Sequence, residues 1–264
     1  MNNYQSIIIE EQAGIITIKL NRPERHNAMN EEMIAELTAV FQQFIQKENW
    51  PRAVVLRGNG KSFCAGADLN YMKSIAGFGF DENKKDGLRL ATLFRSVYDC
   101  PVPTLAVVHG SVFGGGNGLL AACDIVIADE NTRFAFSEVK LGIAPATIAP
   151  FVIKRIGEFG AKELMLTGKR FDANEAAHWH LINHSVPAEK LEEKLQQILG
   201  EILSSAPKAV AETKKLIQNI ISNNNLNEHI DFTANLIARL RASEEGQEGM
   251  AAFLEKRKAK WNEE

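Results

Sequence analysis

The chain is poor in cysteine. Cys64, Cys100 and Cys123 are the only three in 264 residues, and they lack the paired spacing of a metal knuckle or a disulfide framework. Each has small or apolar neighbours, so they read as buried free thiols of a reducing compartment. No apolar run is long enough to span a bilayer. The opening MNNYQSIIIEEQ has neither the basic start nor the apolar core of a secretory signal. A soluble, cytoplasmic protein without a membrane partner is expected. Positive charge is not in excess either: 30 Lys and Arg face 33 Asp and Glu, a net charge of −3. General attraction to nucleic acid is therefore not implied, and no nucleic-acid partner is expected.

Several common motifs are also missing. The dinucleotide fingerprint GxGxxG fails because Leu119 takes the last glycine position after Gly114 and Gly116. Gly60-Lys61-Ser62 resembles half a phosphate-binding loop, but the first glycine that loop requires would fall at Val55, inside a strand. There is no GxSxG elbow and no HExxH. His178, His180 and His184 lie close together, and helical spacing would bring His180 and His184 to one face. With no carboxylate between them, a solvated or capping role is the simpler reading, and no metal is expected.

What is present is 45% apolar residues, enough for one large domain or a domain with a smaller appendage. IIIEEQAGIITIKLN reads as a hairpin about Ala13-Gly14. The stretch 30–48 keeps apolar residues at helical spacing, with Asn30 as N-cap. RAVVLRGNG and PTLAVVHG read as buried strands, with a helix over Asp86 to Tyr98 between them. DIVIADE and RFAFSE read as further strands. Alternating short strands and helices predict an α/β fold with a largely parallel sheet. From about residue 191 the pattern is helical only, which divides the chain into 1–190 and 191–264.

Two glycine-bearing loops stand out. KSFCAGADLNYM follows the strand AVVLRG, and HGSVFGGG follows TLAVVHG. Adjacent parallel strands deliver their following loops to one end of the sheet, where ligands collect. Ala65-Gly66-Ala67 and Gly114-Gly115-Gly116 carry little or no side chain. Each loop could turn backbone N–H groups toward a shared point, forming an oxyanion hole for charge developing on a carbonyl oxygen. Tight turns or close helix packing would equally account for the glycines.

FCAGADLNYM, HGSVFGGGNGLLAACDIVIA and FSEVKLGIAPA together resemble the enoyl-CoA hydratase/isomerase, or crotonase, superfamily. LNRPERHNAMN and EGMAAFLEKRKAKW match it as well, so the resemblance covers essentially the whole chain in order. It implies a spiral of ββα units followed by a helical oligomerisation region, assembled as a homotrimer or as a hexamer of two trimers. It also implies a lyase of fatty acid or branched-chain amino acid catabolism. The N–H groups of Ala67 and Gly115 would hold the thioester oxygen of an acyl-CoA and stabilise its enolate. Glu138 would be the general acid/base. Coenzyme A would arrive as part of the substrate, with no tightly bound cofactor. By the same resemblance Arg25, Ala65, Asp68, Leu69, Phe253 and Lys256 would border coenzyme A.

The chain departs from the two-glutamate pattern of the hydratases, because Gly118 stands where one glutamate is usual. Either Glu138 performs both proton transfers, with water held by a group such as Asn117, or Tyr71 or His109 takes over one role. A third option is that no water is added and a lone base makes a Δ3,Δ2-enoyl-CoA isomerase. Phe136, near Glu138, would line the pocket and desolvate the carboxylate. FSEVKLGIAPATIAPFVIKRIG is most similar to the bacterial branch of methylglutaconyl-CoA and carboxygeranoyl-CoA hydratases. Methylglutaconyl-CoA is accordingly the expected substrate, its distal carboxylate facing Lys73, Lys140 or Arg133 or filling the space freed by Gly118. RNA binding, known for some relatives, and a non-catalytic scaffold are the readings from other classes.

Overall fold

The computed structural model describes residues 4–46, 50–223 and 225–262. β1 (Ile7–Gln12) and β2 (Ile15–Leu20) pair antiparallel across Ala13 and Gly14. Both turn residues have positive φ, 49° and 72°, the two-residue turn whose twist matches a hairpin. α1 (Glu31–Gln46) buries Met33, Leu37, Val40, Phe41 and Phe44 on one face. Asn30 accepts the Met33 N–H at 3.0 Å, as its place before the helix predicts. Residues 47 and 48, the expected end of this helix, lie outside the described residues.

β3 (Ala53–Gly58) leads through α2 (Leu69–Ile75) and α3 (Phe80–Tyr98) to β4 (Thr104–Val108). α3 starts six residues before the expected Asp86. Its first turns, FDENKKD, carry no helical apolar spacing, and the start is set instead by Glu82, whose carboxylate accepts the Gly79 N–H at 2.8 Å. β5 (Ser111–Phe113), α4 (Gly115–Ala122), β6 (Ile125–Asp129) and β7 (Arg133–Ala135) follow. After them come α5 (Ala149–Thr167), β8 (Arg170–Asp172), α6 (Ala173–His178) and β9 (His184–Val186). The C-terminal region holds α7 (Leu191–Leu203), α8 (Pro207–Ser222), α9 (Leu226–Ala242) and α10 (Glu244–Leu254). After β9 the described elements are all helical.

The strands form two sheets. The larger runs β1-β2-β3-β4-β6-β9 and is parallel from β2 onward. The smaller runs β5-β7-β8. Two successive windings, β4-β5-α4 and β6-β7-α5, each add one strand to the large sheet, one to the small sheet and then a helix. β3, β4 and β6 are mostly apolar because both their faces are covered, with Arg57 and Asp129 near their exit ends. Val54, Leu56, Ala106, Val108 and Val126 join the core with α1, α3 and α4. Val55, Leu105, Val107 and Ile127 meet Leu195, Ile198 and Leu199 of α7 on the other side. No helix among the described residues is long and apolar enough to cross a membrane.

Candidate active site

β3 and β4 are neighbours in the large sheet, so the chain leaves both at the same end. The two glycine-bearing loops then run side by side as an improvised extension of the small sheet. Phe63 N donates to His109 O at 2.8 Å, Cys64 N to Ser111 O at 3.2 Å, and Phe113 N to Cys64 O at 3.1 Å. The approach is close enough that a Cβ on Gly110 would lie 2.0 Å from the Lys61 carbonyl oxygen. Only glycine fits there.

The loops end together. A Cβ placed on Gly114 would lie 4.0 Å from Gly66 Cα and 3.4 Å from Glu138 Oε1. Gly114 itself (φ 48°, ψ −119°) holds a backbone that a side chain would strain, and α4 begins at the next residue. Glu138 reaches the same point from the small sheet. β7 lies parallel to β5, and the short 3₁₀ turn Ser137–Leu141 follows its end. So three segments come together at Gly66, Gly114 and Glu138, with Ala67 and Gly115 the next residues after the first two.

Ala67 is exposed, and neither its N–H nor that of Gly115 donates to another group among the described residues. For Ala67 the reason is visible. Gly66 O accepts the Met29 N–H at 2.7 Å and Asp68 N donates to Met29 O at 2.9 Å, so the ladder uses the groups on either side of Ala67 and leaves its own N–H facing away. For Gly115, position N1 of α4 has no acceptor within the helix. Two free donors at the positive end of a helix suit an oxygen that gains charge.

One carboxylate oxygen of Glu138, Oε2, is buried without a hydrogen-bond partner. Burial pushes its pKa above the ordinary carboxylate value, offset in part by its own backbone N–H. Phe136 is fully enclosed and stacks on Phe171 at 5.8 Å between ring centroids, so it presents no surface to a ligand. Phe134 stacks on Phe171 as well, so Phe136 joins an aromatic group in the core.

Gly118 does not open a space. A Cβ there would meet Ile148 Cγ2 at 2.5 Å and the Phe94 ring at 2.6 and 2.8 Å. The volume of a second carboxylate is filled by Phe94 of α3 and Ile148 before α5, which removes the water or substrate carboxylate expected there. Asn117 is also turned inward. It is fully buried and its Nδ2 donates to Val112 O and Ala135 O, tying α4 to β5 and β7. His109 faces Gly60 O at 2.8 Å, which makes that ring nitrogen a donor and the side chain a strap between the loops. The Tyr71 hydroxyl bonds Asp86 of α3. Burial first, and then Asp86, raise its pKa, which suits it to a structural link rather than to proton transfer.

The expected coenzyme A residues divide into two groups. Arg25 is exposed and shares a surface cleft of about 530 Å³ with Arg22, Asn30, Asp68 and Tyr71. Leu69 is 73% exposed beside it, and Ala65 is pinned by donation to His26 O at 3.0 Å. The Asp68 side chain is already engaged: Oδ2 accepts from Arg22 at 2.9 Å, and Oδ1 caps α2 through Asn70 N and Tyr71 N. Burial alone would raise its pKa, but Arg22 and the two amides outweigh that and hold it below the usual value. Phe253 and Lys256 are exposed at the end of α10, which packs on α8 and α9, so within one chain they are not gathered with the other site residues.

Arg22 also belongs to the group around Arg25 and Asp68, although its sequence signal is no more than its place beside Pro23 in LNRPERHN. The histidines also separate: α6 ends at His178, His180 sits in a left-handed turn (φ 61°), and His184 is on β9. Lys140, one candidate cation, lies along Gly168 at the end of α5.

A family model described as enoyl-CoA hydratase/isomerase matches residues 10–264. The enoyl-CoA hydratase ACTT6 of Alternaria alternata is 35% identical over 256 residues, covering 96% of this chain and 81% of that one. The short-chain-enoyl-CoA hydratase of Clostridium acetobutylicum is 32% identical over 255 residues and covers 96% of each. Among solved structures, an enoyl-CoA hydratase from Shewanella pealeana superposes with a TM-score of 0.92 at 38% identity, covering 98% of this chain and 97% of that one.

Proposed function

The chain belongs to the enoyl-CoA hydratase/isomerase family, with the crotonase fold, and from that premise we propose that it adds water across the C2=C3 bond of an α,β-unsaturated acyl-CoA, with Glu138 as its only acid/base carboxylate. The observation that carries this reading is that two unpartnered amides, Ala67 and Gly115, directly follow Gly66 and Gly114, where the half-buried Glu138 also arrives. The thioester oxygen sits between the amides. Glu138 takes a proton from water as the water oxygen bonds C3, and the C2=C3 π electrons move onto the thioester oxygen as an enolate. The enolate then collapses and C2 takes the proton from Glu138, which ends as it began. Desolvation of Glu138 brings its pKa nearer the working pH, which favours a group that must both accept and return a proton.

Methylglutaconyl-CoA is the substrate we put forward, supported by the likeness of residues 136–157 to that branch of hydratases. The enzyme needs no resident cofactor. It assembles as a homotrimer or hexamer, which the uncovered Leu226, Ile230, Phe253 and Leu254 of the helical region support. One observation favours a second reading: the packed Gly118 leaves a single carboxylate, sufficient for moving a proton between C2 and C4 in a Δ3,Δ2-enoyl-CoA isomerase.

The test is hydration of methylglutaconyl-CoA in ¹⁸O-labelled water, with Glu138→Gln alongside. Label at C3, with loss of turnover by at least about 100-fold in the variant, is expected. Double-bond movement in a 3-enoyl-CoA without label selects the isomerase. Full turnover by Glu138→Gln refutes the role of Glu138.

A further inference from the structure

Ala67 has no side chain beyond a methyl group with which to anchor itself, so the aim of its N–H must be set by its neighbours. That N–H shares a planar trans peptide with the Gly66 carbonyl, and the two point in opposite directions. Because Gly66 O accepts the Met29 N–H, whatever holds Met29 in place also aims the Ala67 N–H. Arg22 spans this ladder. One end of its guanidinium donates to Ala28 O at 2.6 Å, on the Met29 side, and the other to Asp68 Oδ2 at 2.9 Å, on the Ala67 side. The remaining Asp68 oxygen caps α2, and Asp68 N completes the ladder to Met29 O.

Arg22 is itself fixed from behind. Its N–H donates to Asn27 Oδ1 at 2.8 Å, and its carbonyl accepts the Asn27 N–H at 2.9 Å. The ion pair is largely enclosed, with side-chain exposures of 18% and 5%. A planar fork can hold two acceptors at a set separation, which a flexible ammonium cannot.

We infer that Arg22, acting through Ala28 and Asp68, is the positioning residue for the Ala67 half of the oxyanion hole. The inference rests on the reading of Ala67 as an oxyanion donor proposed above. Loss of the clamp leaves the acyl-CoA bound while the donor drifts from the oxygen, so the cost falls on the transition state.

The experiment compares wild type with Arg22→Met, Arg22→Lys and Asp68→Asn, using Lys214→Met as a control that breaks an ion pair elsewhere whose lysine side chain is largely enclosed. Two readouts are taken: steady-state kinetics, and the enolate absorbance of bound acetoacetyl-CoA, which reports the hole without needing turnover. For Arg22→Met, kcat is expected to fall about 10–100-fold with KM within about threefold of wild type, and the enolate band to weaken. Arg22→Lys should restore part of both. Asp68→Asn keeps the α2 cap while removing the charge, and should weaken the band where Lys214→Met does not. A wild-type enolate band and kcat in Arg22→Met or Asp68→Asn, or an equal loss in Lys214→Met, overturns the inference. If wild type itself gives no band, the oxyanion-hole reading falls and the inference with it.

Discussion

Replacing Gly118 by alanine tests whether the place of a second carboxylate is truly filled. The new methyl carbon would stand 2.5 Å from Ile148 Cγ2 and 2.6 Å from Phe94 Cζ, where carbon atoms settle at about 3.5–4.0 Å. Neither neighbour has room to retreat. Phe94 is 0% and Ile148 2% exposed, and the Phe94 ring packs edge-on to Phe151 at 6.1 Å. Overpacking of this kind costs about 1–3 kcal/mol. Alanine recovers up to about 1 kcal/mol of helix propensity inside α4. The steric term wins, and Gly118→Ala should be destabilised by about 1–2 kcal/mol. At ~2–4 °C per kcal/mol for a chain near this size, thermal unfolding followed by circular dichroism should shift down by about 2–8 °C.

Phe94→Leu alone should also lose about 1–3 kcal/mol, by leaving a void where the ring was. Combined with Gly118→Ala, the methyl group enters that void, and the double variant should be more stable than the sum of the two losses by about 1 kcal/mol. An unchanged or raised Tm for Gly118→Ala, or strict additivity in the double variant, would refute the reasoning. The space beside Gly118 would then be open to water or to part of the substrate.

Three further outcomes are expected. Because Glu138 titrates higher in the folded chain than in the unfolded one, its contribution to stability is present below the ordinary carboxylate pKa and lost as pH rises through the raised value. Glu138→Gln should therefore melt above wild type at about pH 7.5 and lose that advantage at about pH 4; a lower Tm at both would contradict the burial argument. Lys214 joins α8 to the core through Asp124 Oδ2 at 2.7 Å and Val102 O at 3.0 Å. Lys214→Met should cost about 1–3 kcal/mol in denaturant melts and speed amide exchange in α8 while leaving kcat unchanged; a large fall in kcat would place Lys214 in the active site. Finally, burial pushes the Cys64, Cys100 and Cys123 thiols up to about 12, 11 and 12. An aromatic disulfide reagent at about pH 8 should label none of them until denaturant is added, and rapid labelling of the native protein would show that these sites open.

Much of this protein could be read from residue order alone, because the relevant forces are local or periodic. The hairpin follows from two β-branched runs about Ala13-Gly14, and the buried strands from unbroken apolar runs. The meeting of the two glycine loops follows from β3 and β4 being parallel neighbours. Helical spacing found the body of α3, but its first turn depends on the Gly79–Glu82 cap, which periodicity does not register. What only the tertiary structure decided was the choice of partners. A pattern says that Phe94 faces inward, but not that its ring fills the place beside Gly118. It marks Phe136 as apolar without saying that Phe171 covers it. Asp68 stands beside Ala67 in sequence, yet its carboxylate is committed to Arg22, 46 positions earlier. Such contacts arise when separate segments pack to a density that leaves no gaps, and that depends on shapes brought together from across the chain.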